Sequence, residues 1–280
     1  MRFDKVIILG SGKIACDVVT YLNGILEKNI LYVLEILSNP LSSLSKISNK
    51  YGISYSNNCK ENDIEQFIDN IGGAQKLIIS ANNQHIFSGV FLAHKNIEVI
   101  NFHYSYLPEY RGMNIPTWVI YNNEDYTGVT WHYVTPNIDS GDIISQKRIK
   151  INDDSTAFEL TYLGMKLGIE LFKSFIIDLL NFPIAGDRIY RRGKLYLQHM
   201  VPDNGYLDVR LPIEDIYKLL RCFDYGKVQI IDPLKVKMEG KIYIIKKYKK
   251  VYSKEYVTKD DEIVIYGDEF SLIVTLGKMV

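Results

Sequence analysis

Residues 97–103 read Ile97-Glu98-Val99-Ile100-Asn101-Phe102-His103, an apolar run that ends in two polar side chains. The run predicts a buried strand with Asn101 and His103 at its carboxyl end. Side chains two positions apart on an extended chain point to the same side, so the amide and the imidazole face one space. This strand end is therefore the first candidate for a functional site.

Apolar runs and helical segments alternate on both sides of this stretch. Strands are predicted at 6–9, 31–37 and 76–80, and helices at 14–26, 41–50, from Asn62-Asp63 to about Ile71, and at 87–94. This alternation predicts an α/β fold, Rossmann-like, with a mostly parallel sheet covered on both faces. Active sites in such sheets lie beyond the carboxyl ends of the strands, where Gly10-Ser11-Gly12, Asn82-Asn83 and Asn101-Phe102-His103 are all expected.

The remainder of the chain divides into two parts. Two more strands are predicted at 128–134 and 143–151, and Thr156 and Glu159 have the spacing of a capping box that opens a helix to about Leu180. From about residue 201 a short amphipathic helix at 213–221 is followed by β-rich runs at 234–238, 241–246, 262–266 and 271–275. We therefore predict a catalytic domain at 1–200 and a small, mostly β domain at 201–280.

Composition narrows the function classes. The chain has 33 basic and 33 acidic residues, and this balance does not indicate a general surface for polyanions such as nucleic acid, although it leaves a local basic patch open. Its three cysteines, Cys16, Cys59 and Cys222, are far apart and form neither a disulfide framework nor a Cys-x-x-Cys metal pair. No apolar stretch reaches the roughly 18 residues of a membrane span, and Met1–Lys5 lacks a signal-peptide layout. We expect a cytoplasmic protein with no metal and no membrane partner.

The turn Gly10-Ser11-Gly12 after the first strand has two interpretations. It could begin a dinucleotide site, because Gly10-x-Gly12-x-x-Ala15 approaches the Rossmann pattern. Against this, the second strand ends in Glu35-Ile36-Leu37-Ser38 without a clear terminal acid for a ribose. The alternative is a tight strand-to-helix turn.

Further motifs follow the first stretch in a fixed order. They are Ser105-Tyr106-Leu107-Pro108-Glu109-Tyr110-Arg111-Gly112, Gly128-Val129-Thr130-Trp131-His132 and Asp139-Ser140-Gly141. With Asn101 and His103, this set resembles the folate-dependent formyltransferase family, which carries N-x-H-x-S-x-LP-x-x-RG, then G-x-T-x-H, then D-x-G. The family includes methionyl-tRNA, glycinamide ribonucleotide and sugar N-formyltransferases. The ordered motifs span about residues 76–146.

The resemblance implies a catalytic set. Formyl transfer to an amine develops an oxyanion and releases a proton, so it needs a hydrogen-bond donor, a base and a group that orients the base. By resemblance these are Asn101, His103 and Asp139 in that order. Asp142 is a rival carboxylate, but the D-x-G spacing selects Asp139. His132 is expected to be a satisfied core histidine.

The resemblance also implies binding residues. The formyl donor would be 10-formyltetrahydrofolate, whose pterin lies in relatives beside a loop that corresponds to Gln84, His85, Ile86 and Phe87. Ile138 and Asp139 are also expected to bind this donor. In the purine enzyme of the family, the turn that corresponds to Ser11 and Lys13 lies near the phosphate of the acceptor. Residues predicted to contact the acceptor are Ser11, Lys13, Tyr110, Arg111, Gly112, Met113, Asn114 and Trp118. The pattern Arg111-Gly112-x-Asn114-x-x-x-Trp118 is closest to that of the sugar enzymes.

We therefore predict an N-formyltransferase for a dTDP- or UDP-linked amino sugar, specifically a 4-amino-4,6-dideoxy sugar of a surface glycan such as the lipopolysaccharide O-antigen. Residues 202–221 resemble the hinge and helix of the tRNA and sugar enzymes, and the purine enzyme ends before them. Asp224-Tyr225-Gly226 replaces the Pro-Gly run that is familiar after this helix. Two alternatives stay open: a methionyl-tRNA formyltransferase and a non-catalytic folate- or nucleotide-binding protein. A homodimer is also left open.

Overall fold

The computed structural model describes residues 1–36, 42–57, 60, 63–252 and 256–279. The predicted strand end at Leu37, the helix start at Leu41, Cys59 and the cap at Asn62 lie outside the described residues. The chain divides into two compact units. The first unit comprises Met1–Arg111, Gly128–Ile149 and Tyr162–Leu195, and the second comprises Gly112–Thr127, Lys150–Thr161 and Tyr196–Val280.

A seven-stranded sheet is the main feature of the first unit. Its first strands in chain order are β1 (Lys5–Gly10), β2 (Leu31–Leu34), β3 (Ser54–Ser56), β4 (Lys76–Ala81) and β5 (Ile97–His103), and the short β6 (Arg111–Gly112) that comes next lies outside this sheet. β7 (Tyr126–Tyr133) and β8 (Ile143–Lys150) complete it in the order β3-β2-β1-β4-β5-β7-β8. The pairs from β3 to β5 are parallel, and β7 runs antiparallel to β5. This confirms the predicted mostly parallel α/β sheet.

Helices follow the strands as the alternation predicts. They are α1 (Gly12–Asn23), α2 (Ser43–Tyr51), α3 (Ile64–Asn70), α4 (Gly89–Leu92), α5 (Ile115–Tyr121), α6 (Ala157–Asn181) and α7 (Ile213–Phe223). The helix predicted at 87–94 is shortened to α4, because Ser88 caps it by accepting a hydrogen bond from the Phe91 amide. No helix within the described residues combines the length and the apolar character that a membrane crossing needs.

Burial on both faces explains why the central strands read as unbroken apolar runs. The side chains Val6–Leu9 of β1 are completely buried, and every residue of β4 is buried. A strand covered on both faces does not alternate between apolar and polar residues.

The backbones of β1 and β4 also approach closely at Gly10: a Cβ built on Gly10 would lie 2.0 Å from the carbonyl oxygen of Ala81. The end of β1 therefore requires glycine.

A five-stranded sheet forms the centre of the second unit. After the short β9 (Leu195–Tyr196), which pairs with β6, come β10 (Tyr206–Leu207), β11 (Lys235–Met238), β12 (Lys241–Val251), β13 (Glu262–Tyr266) and β14 (Ser271–Met279), in the sheet order β10-β11-β12-β14-β13. The buried face of α7, with Ile216, Leu219 and Leu220, shares one hydrophobic cluster with Val236 and Leu272. The predicted small, mostly β C-terminal part is confirmed as a fold.

The compact units differ from the predicted division at residue 200. The second unit takes two segments from the first 200 residues, 112–127 and 150–161. One reason is visible at the start of α6, where the backbone amide of Phe158 donates to the carbonyl of Asp224 at 2.8 Å.

The capping box predicted at the start of α6 is present. The Thr156 amide donates to the carboxylate of Glu159 at 3.0 Å, and the Glu159 amide donates to the hydroxyl of Thr156 at 3.2 Å.

The close approach at Gly10 generates a stability prediction. Gly10→Ala is expected to lower the free energy of unfolding by about 1–3 kcal/mol or more, because a methyl group would overlap a backbone carbonyl that cannot move aside cheaply. Gly72→Ala is the matched control, since a Cβ built at that position has nothing within 4 Å. Urea unfolding of both variants measures the difference. Equal stability of the two variants would contradict the tight β1–β4 approach.

Candidate active site

The carboxyl end of β5 carries the first two site residues on a fixed rung of the sheet. In the strand register Ser80 of β4 pairs with Asn101, and Asn101 pairs with His132 of β7. The hydroxyl of Ser80 donates to Oδ1 of Asn101 at 2.7 Å, and Nδ2 of Asn101 lies 3.2 Å from Nε2 of His132. The Asn101 amide is therefore held from both neighbouring strands.

Hydrogen bonding at His132 identifies its proton-bearing nitrogen. Nδ1 of His132 lies 2.8 Å from the backbone carbonyl of Tyr133, which can only accept a hydrogen bond. The proton therefore sits on Nδ1, and Nε2 of the neutral ring is left to accept from the NH2 group of Asn101. His132 is buried, as the sequence predicts for a satisfied core histidine, but its partner is the Asn101 amide.

His103 has the geometry of a base. Its Nε2 lies 2.8 Å from the carbonyl of Tyr110, so Nε2 carries the proton in the neutral ring and Nδ1 keeps its lone pair. Nδ1 lies 3.5 Å from Oδ2 of Asp139. Burial lowers the pKa of His103 below its ordinary value of 6.5, and the nearby Asp139 carboxylate acts in the opposite direction. His103 is thus neutral at physiological pH, and the Asp139 carboxylate can stabilise its positive charge once the ring is protonated.

Asp139 lies between the two imidazoles. Its Oδ1 is 3.5 Å from Nε2 of His132 and 3.5 Å from Nδ2 of Asn101. The Asp139 backbone adopts a left-handed conformation with φ of 43°, which aspartate tolerates better than most residues. The structure thus brings Asn101, His103 and Asp139 together.

The D-x-G spacing has a packing cause. A Cβ on Gly141 would lie 1.8 Å from the carbonyl oxygen of Tyr133, so only glycine lets the loop approach the end of β7. Next to it, the carbonyl of Asp142 accepts from the Tyr133 amide at 2.9 Å. Asp142 therefore contributes its backbone to this corner, and Asp139 contributes its carboxylate to the site.

The G-x-T-x-H and N-x-H-x-S motifs brace the loop that follows β5. The hydroxyl of Thr130 donates to the carbonyl of Ser105 at 2.7 Å and accepts from the amide of Leu107 at 3.2 Å. The Ser105 hydroxyl donates to the carbonyl of Glu109 at 2.7 Å. The Leu107–Pro108 peptide bond in this loop is cis. These hydrogen bonds hold the loop in a position where the Tyr110 carbonyl can accept from Nε2 of His103.

Arg111 holds the loop that carries Asp139. Its Nη1 donates to the carbonyl of Ile138 at 3.0 Å, and its Nε donates to the carbonyl of Gly193 at 3.1 Å. Two of its nitrogens are thus committed to protein backbone. Ile138, predicted at the formyl-donor site, is fixed here through its carbonyl, while contact of Arg111 or Tyr110 with an acceptor stays a prediction.

The loop after β4 is the segment predicted to contact a pterin. Residues 83–88 lie outside any helix or strand, and Asn82 before them has a left-handed φ of 59°. Ile86 is 61% exposed, whereas Phe87 is buried and stacks on Phe91 with 5.6 Å between ring centroids. Ile86 is therefore the accessible apolar side chain of the pair. The pterin contacts of Gln84, His85, Ile86 and Phe87 stay predictions.

Glu65 on α3 anchors the far end of this loop. Its carboxylate accepts from the backbone amide of Ser88 and, at 2.7 Å, from the Ser88 hydroxyl. Nε2 of His85 lies 3.6 Å from the same carboxylate. Sequence reasoning missed this anchor, because the two segments are 23 positions apart and no local motif links them.

The turn after β1 joins the same edge of the sheet. Ser11 donates from its hydroxyl to the carbonyl of Asn82 at 3.1 Å, and Nδ2 of Asn82 lies 3.1 Å from the same hydroxyl oxygen. Lys13 pairs with Asp17 at 2.7 Å and remains half exposed. The predicted phosphate contacts of Ser11 and Lys13 stay predictions.

The interpretation of the second strand needs a correction. β2 ends at Leu34, so Glu35 follows the strand directly, and the expectation that no terminal acid is present is wrong. The error arises because the apolar residues after Glu35 suggest a longer strand. Glu35 is 4% exposed, and its Oε2 accepts from the hydroxyls of Ser42 and Tyr55 at 2.6 and 2.9 Å. This carboxylate is committed inside the protein, unlike one that binds a ribose.

The remaining predicted acceptor residues belong to the second unit. The Met113 amide donates to the carbonyl of Tyr196 at 2.8 Å, and Asn114 precedes α5 with a left-handed φ of 57°. Gly112, just before them, has a φ of 92°. The indole of Trp118 stacks on Tyr196 with 4.5 Å between centroids. Nε1 of Trp118 is buried and has no acceptor among the described residues.

The second unit also has a cavity of its own, of about 440 Å³. Its lining comprises Leu220, Phe223–Val228 with Gln229, Ile231, Pro233, Leu234 and Ile244–Tyr248. None of the predicted site residues lines this cavity, so the candidate site does not include it.

Known proteins resemble this chain in sequence. A family model described as formyl transferase matches residues 42–174. A GDP-perosamine N-formyltransferase of Brucella melitensis biotype 1 is 30% identical over 173 residues, which is 60% of this chain and 63% of that protein. An equally similar protein with the same name occurs in Brucella abortus. The match thus spans under two thirds of the length of these relatives.

Solved structures resemble the fold over nearly the whole chain. An N-formyltransferase from Helicobacter canadensis, in complex with folinic acid and dTDP-3-aminofucose, superposes with a TM-score of 0.75 at 21% identity, covering 98% of this chain and 99% of that one. A 4-N formyltransferase from Francisella tularensis has a TM-score of 0.68 at 18% identity, covering 84% and 93%. At these identities the likeness demonstrates the shared fold.

The contacts of His103 generate a titration prediction. The pKa of His103 is expected below 6.5. In the wild type the negative charge of Asp139 stabilises the protonated ring, so Asp139→Asn removes this stabilisation and is expected to lower the pKa further. Asp142→Asn is the matched control and should leave this pKa at its wild-type position. Histidine NMR titration measures all three proteins. Equal shifts in the two variants would contradict the pairing of His103 with Asp139.

Proposed function

We propose that the chain, whose residues 42–174 match a family model described as formyl transferase, is a folate-dependent N-formyltransferase for a nucleotide-linked amino sugar. The observation that carries the proposal is the cluster at the end of β5. There the NH2 group of Asn101, Nδ1 of His103 and the carboxylate of Asp139 converge within 3.5 Å contacts. An oxyanion donor, a base and a partner for the protonated base are what amide-forming transfer requires.

Each group has a defined task in the proposed reaction. The acceptor amine attacks the formyl carbon, and an N–H of Asn101 donates to the oxygen as negative charge develops on it. Nδ1 of His103 takes a proton from the nitrogen that has attacked, and Asp139 stabilises the resulting imidazolium. When the intermediate collapses, the bond from carbon to the donor nitrogen breaks and His103 returns the proton to that leaving nitrogen. His103 then regains its neutral form.

The formyl donor that we propose is 10-formyltetrahydrofolate. The loop 83–88 supports this proposal because it borders the same strand ends and offers backbone groups outside regular structure, with the exposed side chain of Ile86. The burial of Glu35 argues against a nicotinamide dinucleotide at this edge. The solved relative from Helicobacter canadensis carries folinic acid, a formylated folate, which is a further reason to choose this donor class.

The acceptor that we propose is an amino sugar on a nucleoside diphosphate, used for a surface glycan. Within the second unit, Trp118, which the sequence pattern assigns to the acceptor, is held in place by stacking on Tyr196. The nucleotide expected from the sequence is dTDP or UDP. The Brucella relatives are named for a GDP-linked sugar, so we extend the proposal to GDP.

The runner-up acceptor is methionyl-tRNA. A protein that binds tRNA gains affinity from phosphate contacts and usually presents an excess of basic residues, whereas this chain has 33 of each sign. The third hypothesis, a binding protein without catalysis, does not account for the complete cluster of Asn101, His103 and Asp139.

Loss of the base provides the first test of this proposal. His103→Asn is expected to lower turnover by about 100- to 10,000-fold, because the variant cannot accept the proton at Nδ1. His94→Asn, which changes an exposed histidine, is the matched control and should keep turnover near the wild-type value. Steady-state kinetics on folded protein, checked by circular dichroism, measures the effect. Turnover of His103→Asn within about threefold of wild type would exclude His103 as the base.

Acceptor choice provides the second test. We expect formylation of at least one amino sugar in a panel linked to GDP, dTDP and UDP, including GDP-perosamine, with a KM in the usual range of roughly 1 μM to 1 mM. We expect no formylation of methionyl-tRNA. Mass spectrometry of the acceptor after incubation with 10-formyltetrahydrofolate measures both. Formylation of methionyl-tRNA without turnover of any amino sugar would favour the runner-up.

A further inference from the structure

We propose that Ser80 is a positioning residue that fixes the orientation of the Asn101 amide, so that its NH2 group and not its carbonyl faces the developing oxyanion. The proposal rests on the proposed function, because it assigns a partner to the oxyanion donor. It is carried by the contacts of Ser80, which lies on β4 in register with Asn101 and is 3% exposed.

Orientation matters because an asparagine side chain can present either end of its amide after a half-turn about its last bond. With NH2 facing the formyl oxygen, the amide donates a hydrogen bond to the growing negative charge. With Oδ1 facing it, two partial negative charges would oppose each other, and the interaction would raise the barrier. The shape of the side chain is nearly the same in both orientations, so packing alone does not choose between them.

Hydrogen bonds on both sides make the choice. On one side, the ring proton of His132 is on Nδ1 and is donated to the Tyr133 carbonyl, so Nε2 can act only as an acceptor. Nε2 therefore requires the NH2 group of Asn101, and not its Oδ1, to face it. On the other side the hydroxyl of Ser80 donates to Oδ1 of Asn101 at 2.7 Å. Together these contacts direct one N–H of Asn101 to His132. The second N–H makes only a long 3.5 Å contact with Asp139, so it can donate to the formyl oxygen.

The direction of the Ser80 hydroxyl is itself set by a neighbour. Nδ2 of Asn83 lies 3.4 Å from Oγ of Ser80, and an amide nitrogen can only donate. Ser80 therefore accepts from Asn83 and turns its own proton towards Asn101. The resulting chain runs from Asn83, in the loop proposed for the formyl donor, through Ser80 to Asn101, and bonds in such a chain polarise one another.

Removal of the hydroxyl gives the first measurement. Ser80→Ala is expected to lower kcat by about tenfold, less than the roughly 100- to 1,000-fold that loss of a whole oxyanion donor costs, because His132 still holds one N–H. The KM for the formyl donor should stay near the wild-type value, since the contact that the Ser80 hydroxyl makes with the donor loop is a long one, 3.4 Å from Nδ2 of Asn83. Ser80→Thr keeps the hydroxyl and is expected to recover most of kcat. Ser48→Ala, which removes another buried hydroxyl bonded within α2, is the matched control with unchanged kcat.

A double-mutant cycle with Asn101→Ala separates positioning from general damage. If Ser80 acts through Asn101, Ser80→Ala should change the single-turnover rate by less than about twofold once Asn101 is alanine. Multiplicative losses in the two backgrounds would overturn the proposal, as would a wild-type kcat in Ser80→Ala or an effect confined to KM.

A readout independent of turnover distinguishes this proposal from the proposed function. Solvent exchange of the Asn101 side-chain NH2 hydrogens, followed by NMR, should be slow in the wild type and in Ser48→Ala and about tenfold faster in Ser80→Ala, because an amide held by His132 on one side alone turns more readily and exposes its hydrogens. If no acceptor is formylated by the wild type, the proposed function fails, and this exchange measurement still decides the role of Ser80. Unchanged exchange in Ser80→Ala would overturn it.

Discussion

The register between β4, β5 and β7 is the constraint on which the candidate site depends. It aligns Ser80, Asn101 and His132 on neighbouring strands and lets their side chains form one hydrogen-bonded row. A slip by one residue would turn Asn101 and His103 to the opposite face of the sheet, because strand side chains alternate with a period of two. The buried side chains of β1 and β4 disfavour such a slip, since the register of these strands fixes which apolar residues pack in the core.

Electrostatics at this strand end depend on one carboxylate shared by two imidazoles. Asp139 contacts His103 through Oδ2 and His132 through Oδ1, while burial keeps the pKa of His103 low. The arrangement favours a neutral base in the resting state and supplies a countercharge once that base is protonated. The surrounding motif residues hold this geometry through backbone contacts, as Arg111 does at Ile138. The places of Ser105 and Thr130 in the motifs are thus explained by the loop that they brace.

Much of this organisation could be predicted from the sequence, because its causes are local. The apolar run before Asn101 predicted β5, and the spacing of Thr156 and Glu159 predicted the start of α6. The choice of Asp139 over Asp142 came instead from the resemblance, through the D-x-G motif. What sequence reasoning missed depends on partners far apart in the chain. Ser80 reads as the polar end of a strand until the register pairs it with Asn101, and Glu35 reads as a mid-strand acid until Ser42 and Tyr55 are seen to bind it. The interleaving of the two units, likewise, leaves no local signal.

Transfer of a formyl group to an amine by the cluster at the end of β5 is the central claim. The most direct measurement follows the formyl carbon of 10-formyltetrahydrofolate labelled with carbon-13 by NMR, in the presence of a nucleotide-linked amino sugar. We predict that the label moves to a new formamide on the sugar and that Asn101→Ala slows this transfer about 100- to 1,000-fold. Label that stays on the folate, or that appears only as free formate at the same rate in wild type and Asn101→Ala, would contradict the claim.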